Sequence, residues 1–295
     1  MVRIFLESLT RRRSRKVPQT LLGLTGQIVL LVGLLSSSEN SAAQILPVRV
    51  DRWLEVRSVS GNVTYHQGKT SQVAKVGTRL QSVGDAIDTG SNANAVLAVD
   101  TGIGIVDVSP DTTVRIKALH VNNSGGLVTQ LQVNGGQARL RVRRFSNPSS
   151  ELEIHTPAGV SAVRGTEFGV AVHADGRTGV ATLEGSVLNM SQGESVPLPA
   201  GYQIVMIPGQ PPTTPVPIAN DTRLNLRLLT AVDQKTARIV GVVDPVNLTM
   251  IAGRKGVSDR NGYFDITVPI PPNRRISAVV TTPLGDRKVY ELAVP

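Results

Sequence analysis

No cysteine occurs in the 295 residues, so neither a disulfide nor a thiolate metal site can hold the fold, and each domain must bury an apolar core of its own. Aromatics are scarce, with four Phe, four Tyr and one Trp against 28 Gly. A core poor in rings and rich in Val and Thr favours an all-β protein. Catalytic signatures are missing as well: there is no G-x-S-x-G elbow and no H-E-x-x-H pair, and Asp259, Asn261 and Asp265 lack the further oxygen ligands of a calcium loop. His66, His120, His155 and His173 are scattered, with no H-x-x-x-H spacing and no acidic cluster beside them, so they read as isolated surface or strand histidines. The stretch from Gly61 to Lys69 superficially offers a phosphate loop, but six residues separate its glycines where the P-loop needs four, and no helix pattern follows. No cofactor is implied, and an enzyme would have no named nucleophile.

What is present begins with a targeting pattern. Arg11, Arg12, Arg13, Arg15 and Lys16 precede an apolar run at 21–35, and Ser41, Ala42 and Ala43 offer small residues before Gln44. This is the layout of a signal peptide cleaved between Ala43 and Gln44. The competing reading is an uncleaved anchor, for which Thr25, Gln27 and two glycines make a poor span. In either case the arginines stay inside and the rest of the chain is exported. The formal charge of +9 is partly a property of this segment, because six Lys/Arg against two Glu in residues 1–43 carry +4 and leave +5 for the remainder. An exported chain without interleaved basic and aromatic residues is not built for nucleic acid.

The exported part divides into a lead-in at 44–52, a β domain at 53–207, a Pro-rich linker at 208–219 and a small β domain at 220–295. Within the larger domain, apolar runs at 95–99, 103–108, 114–116 and 127–133 alternate with turn clusters at 122–126 and 134–136. These predict a β-sandwich or an irregular β-roll of about ten or more strands. Gly-centred strand pairs recur at unequal spacing, so no solenoid of fixed period is expected. Pro208, Pro211, Pro212, Pro215 and Pro217 predict an extended spacer without regular pairing. Beyond it, Leu224, Leu226 and Leu228 alternate with Arg223, Asn225 and Arg227, as in a strand with one apolar face. The stretch S-D-R-N-G-Y-F-D-I-T-V-P at 258–269 resembles transthyretin-like and carboxypeptidase regulatory-like modules, which implies a small Ig-like or transthyretin-like sandwich.

The segment 151–187 organises the larger domain. Leu152 and Ile154 point one way and Glu151 and Glu153 the other, and Thr156 with Pro157 ends that strand. Phe168, Val170 and Val172 then share a face opposite Gly169 and Ala171, as expected of a half-buried strand. Asp175 and Gly176 mark a hairpin, and the return strand at 179–187 carries Val180, Leu183, Val187 and Leu188, with Gly185 at a kink or bulge. The sequence T-P-A-G-V-S-A-V-R-G-T-E-F-G-V-A-V, with L-E-G-S-V after it and G-D-A-I-D-T-G at 84–90 before it, resembles the FecR family, named for regulators of ferric citrate transport. The likeness covers roughly residues 56–207 and is specific as a combination. It implies a FecR-like extracytoplasmic β module whose motif residues Gly84, Asp85, Thr89, Gly90, Thr156, Pro157, Gly165, Thr166 and Gly185 are structural. Family regulators also carry a cytoplasmic anti-sigma segment ahead of a membrane span; here about twenty residues precede the apolar run, too few for a packed domain. Asp85 and Asp88 read as turn-forming carboxylates, not as an acid/base pair.

One surface feature remains. In A-R-L-R-V-R-R at 138–144, Ala138, Leu140 and Val142 face inward, which sets Arg139, Arg141 and Arg143 on the opposite face with Arg144 at the end. Such a row can hold an anionic partner through charge-assisted bonds, or it can simply decorate a solvent-facing or edge strand. The function that follows is non-enzymatic binding or scaffolding in the cell envelope, at the periplasm or cell surface, with an envelope protein or an anionic polysaccharide as partner. A membrane-anchored sensor is the alternative if the leader is retained, and a carbohydrate-active enzyme is third. Membrane contact is expected only with an uncleaved leader.

Overall fold

The computed structural model describes residues 51–295 except Thr101, Gly256 and Val257. The leader, its cleavage site at Ala43 and Gln44, and residues 44–50 of the lead-in lie outside the described residues. The protein is all-β: every regular element among the described residues is a strand. In chain order the first are β1 (Leu54–Ser60), β2 (Val63–Gln67), β3 (Thr70–Val73), β4 (Arg79–Leu80), β5 (Ala86–Thr89), β6 (Asn94–Val99), β7 (Gly104–Val108), β8 (Thr113–Val121) and β9 (Leu127–Val133). They continue as β10 (Gly136–Val142), β11 (Glu151–Thr156), β12 (Gly159–Val163), β13 (Glu167–Val172), β14 (Thr178–Glu184), β15 (Ser186–Ser191), β16 (Glu194–Pro199), β17 (Tyr202–Met206) and β18 (Val216–Pro217).

These strands form two nine-stranded sheets, in the orders β18-β17-β14-β13-β10-β7-β6-β1-β4 and β16-β15-β12-β11-β9-β8-β5-β2-β3. From β5 onward the chain places one or two strands in one sheet, crosses to the other, and returns one step further along. Pairing is antiparallel throughout except for the parallel pair β9 and β11. The period-2 pattern of the sequence is what fills the space between the sheets: Leu152, Ile154, Phe168, Val170, Val172, Ala138 and Leu140 are all buried in one continuous core. Fully burying each of the larger side chains contributes about 1.5–3 kcal/mol.

The remaining strands are β19 (Asn225–Ala231), β20 (Thr236–Val242), β21 (Leu248–Ile251), β22 (Arg254–Lys255), β23 (Tyr263–Pro269), β24 (Arg275–Thr281) and β25 (Arg287–Ala293). They make a sheet of order β19-β20-β23 facing one of order β22-β21-β24-β25. Between them lies a second core that includes Ala237, Ile239, Phe264, Ile276, Val280 and Leu292. Both cores belong to one compact unit.

Several local expectations change. The strand β13 is buried on both faces, because Ala171, opposite the core residues, is also fully buried. A side chain at Gly169 would collide with the Pro283 carbonyl, and one at Gly179 with that of Val246. The C-terminal sandwich therefore sits on bare backbone. The expected return strand at 179–187 is two strands, β14 and β15, in different sheets, so Leu183 and Leu188 are exposed while Val180 and Val187 are buried. In β19 the register shifts between Leu226 and Leu228. The extra residue flips the alternation, leaving Leu226 and Leu228 exposed and turning Leu229 toward the core. Proline does not abolish pairing at 208–219, since Val216 and Pro217 pair with Gln203 and Tyr202 at the sheet edge, where a missing N–H is tolerated. Arg52, in the lead-in expected to be loose, is buried and bonded to Asp100, Thr129 and the His120 and Val128 carbonyls.

Candidate functional site

Except for Thr156 and Pro157, the residues singled out as structural sit where the chain changes sheet. Gly84 and Asp85 lie between β4 and β5, Thr89 ends β5 and Gly90 follows it, Gly165 and Thr166 lie between β12 and β13, and Gly185 lies between β14 and β15. Asp85 is buried, and its Oδ2 accepts hydrogen bonds from Tyr65 Oη at 3.2 Å, Gln81 N at 3.0 Å and Ser82 N at 3.1 Å. Burial, followed by the Asp85 charge, pushes the Tyr65 phenol up to about 12. Thr89 Oγ1 donates to the Ser109 carbonyl at 2.6 Å and accepts from Thr112 N at 3.0 Å. Gly90 N donates to the Asn62 carbonyl at 2.9 Å. Asp88 accepts from Thr113 Oγ1 at 3.2 Å and is not aimed at Asp85's partners. Thr156 and Pro157 mark the β11–β12 hairpin within one sheet, where Thr156 Oγ1 donates to the Gly159 carbonyl at 3.2 Å.

Three crossings stack on one another beside β10. A Cβ on Gly165 would lie 2.5 Å from Arg144 Cα, and one on Gly185 2.6 Å from the Gly165 carbonyl oxygen. Both glycines have positive φ, 143° and 79°. Thr166 locks the stack: its backbone exchanges two 3.0 Å hydrogen bonds with Val142, and its Oγ1 donates to the Ser186 carbonyl at 3.0 Å. Arg143 N donates to the Ile103 carbonyl at 2.9 Å and Phe145 N to that of Arg164 at 3.0 Å. The R-G-T-E of the sequence signature is thus a corner whose bare backbone lets adjacent corners touch.

That close stacking leaves an open basin of about 850 Å³ above it, lined by Gly102, Arg141, Arg143, Arg144, Arg164, Thr166, Glu167 and Glu184 among others. The four arginines expected to form one row have separate fates. Arg139 is half-buried, bonds Glu167 Oε1 through Nη2 at 2.6 Å and reaches the Leu284 carbonyl at 3.2 Å, so it ties the two sandwiches and does not line the basin. Arg141 pairs with Asp107 at 3.0 Å. Arg143 and Arg144 follow the end of β10 and have no carboxylate partner among the described residues, and the Arg143 guanidinium lies over Gly102. The strand β10 is central in its sheet, between β13 and β7, so its charges do not guard an edge.

Two basin residues escaped the strand-based reading. Arg164, whose side chain makes one polar contact among the described residues, a long 3.4 Å bond from Nε to the Ser150 carbonyl, joins Arg143 and Arg144 from the next corner. Glu184 stands opposite Glu167 across β13 and β14 and has no partner among the described residues. The available signal was the position of Arg164 directly before a corner glycine. No three His, Asp or Glu side chains gather into a possible metal site among the described residues.

A family model described as FecR protein matches residues 85–188, the segment that supplies most of the stacked corners and the basin. Two crystal structures of a candidate anti-sigma factor from Parabacteroides distasonis are similar at 15% identity and a TM-score of 0.39, covering 45% of this chain and 59% of that one. A polysaccharide lyase structure is similar at 9% identity and a TM-score of 0.19, covering 83% of this chain and 40% of that one. This chain spans less than two thirds of the length of each, and similarity at these scores decides nothing about function. No curated protein matches.

Proposed function

Residues 85–188 are a FecR-family segment, and from that premise we propose that the protein is an exported, non-enzymatic binding or scaffolding protein of the cell envelope. The observation that carries the reading is the basin: three exposed guanidinium groups, Arg143, Arg144 and Arg164, line one corner stack, and none has a carboxylate partner among the described residues. Arginines left unpaired at a concave, hydrogen-bonded site favour recognition of an anion over a purely solvating role. The carboxylate first considered for chemistry, Asp85, is committed to holding a turn, which favours binding over catalysis. Export is supported by the basic, apolar and small-residue order of residues 11–43.

The test is fractionation of cells expressing the full chain, with sequencing of its N-terminus and capture of envelope components. Recovery in the envelope fraction with Gln44 first, bound to an envelope component, is the expected outcome. A product that retains its leader and stays in the membrane favours the anchored sensor. Recovery in the cytosol overturns the proposal.

A further inference from the structure

We propose that the basin between the corners binds acidic polysaccharide of the polyuronate class, chains that carry carboxylates and hydroxyls together. This deepens the reading of the basin as the binding face. Its basic wall consists of Arg143, Arg144 and Arg164, whose planar forks match a carboxylate with two parallel hydrogen bonds. Its other wall carries Glu184, exposed and with no side-chain partner among the described residues, opposite a Glu167 already held by Arg139. An ionised carboxylate only accepts hydrogen bonds, so Glu184 suits a ligand that brings hydroxyl donors and repels one that brings only negative charge. Uniform polyanions such as polyphosphate meet the arginines but lack donors for Glu184.

Two alternatives fit less well. No aromatic side chain lines the basin, so a neutral glycan finds neither a charge partner nor a ring to stack on. An acidic peptide can meet an arginine cluster, but its carboxylates bring no hydroxyl donors for Glu184, and it finds no strand edge to extend, because the backbone here is already paired, Val142 with Thr166, Arg143 with Ile103 and Phe145 with Arg164. A volume of about 850 Å³ falls within the range of formed ligand sites. Its open form suits a polymer passing across it.

The experiment measures binding of the full chain to oligogalacturonate, polyphosphate, poly-glutamate and dextran at low and moderate salt. The expected result is tightest binding to oligogalacturonate, weakened about tenfold or more by the double variant Arg143→Glu and Arg144→Glu with its melting temperature unchanged. Glu184→Ala is expected to weaken oligogalacturonate and strengthen polyphosphate. The proposal fails if polyphosphate, poly-glutamate or dextran binds more tightly than oligogalacturonate, if the folded double variant binds as the parent does, or if Glu184→Ala strengthens binding to every polyanion alike. Should the double variant misfold, Arg164→Gln, which keeps the corner backbone, replaces it under the same criteria. Cytosolic recovery in the fractionation would overturn the cellular reading and leave this binding result standing, so the two failures are distinguishable.

Discussion

At the scale of single residues, His173 carries the clearest pH signature. It lies in the turn between β13 and β14, is 1% exposed, and neither ring nitrogen has a hydrogen-bond partner of good geometry. Burial, and then the nearby Arg177, lowers its pKa from 6.5 to about 4; the Asp175 carboxylate and the Val246 carbonyl oppose this only in part. The unfolded chain therefore binds more protons between these values, and stability rises with pH across that window. The contribution is complete well above pH 6.5, declines as pH falls toward 4, and is flat below. Denaturant unfolding at pH 7.5 and 4.5 should show the parent losing about 2–3 kcal/mol more than a His173→Phe variant. Equal losses would assign the acid sensitivity to other groups. Glycine offers a second residue-level test, because Gly185 and Gly201 both have positive φ, 79° and 83°, but nothing stands within 4 Å of a Cβ on Gly201. Asn accepts that φ, so Gly201→Asn should cost under about 1 kcal/mol while Gly185→Asn, forced against the Gly165 carbonyl, should cost about 2–4 kcal/mol. Similar midpoints in urea would show that the corners do not need the close approach.

At the scale of elements, β13 shows how one strand serves two purposes. Its Phe168, Val170 and Val172 fill the main core, while Gly169 and Ala171 form a shelf on the other face for the turn carrying Pro283 and Leu284. Around that shelf, Gln137 Nε2 donates to the Pro283 carbonyl at 2.7 Å, Arg139 reaches the Leu284 carbonyl, Gln203 Nε2 donates to Asp244 at 3.0 Å, and Arg177 bonds the Ser258 and Asp259 carbonyls. A Gly169→Val variant cannot keep the Pro283 carbonyl where it is, yet neither core loses a residue. Calorimetry of the parent should give one transition and the variant two, with faster proteolysis at 208–219. A single unchanged transition in the variant would show that docking does not depend on this shelf.

At the scale of the whole molecule, composition and period-2 patterning determined the all-β class, the inward sets Leu152/Ile154 and Phe168/Val170/Val172, and the turn around Gly84. Local sterics and burial act over a few residues, and those the sequence states directly. It also carried the FecR signature, now matched at residues 85–188. Which strands share a sheet was not legible, because alternation is the same in either sheet. That is why 179–187 reads as one strand although the chain changes sheet at Gly185. Nor could periodicity separate Arg139, held by Glu167 and the C-terminal sandwich, from Arg143 and Arg144, which have no carboxylate partner among the described residues. The partners that neutralise or spare a charge come from distant parts of the chain. Only the tertiary structure brings Arg164 and Glu184 to the same basin, by stacking three corners so closely that their backbones touch.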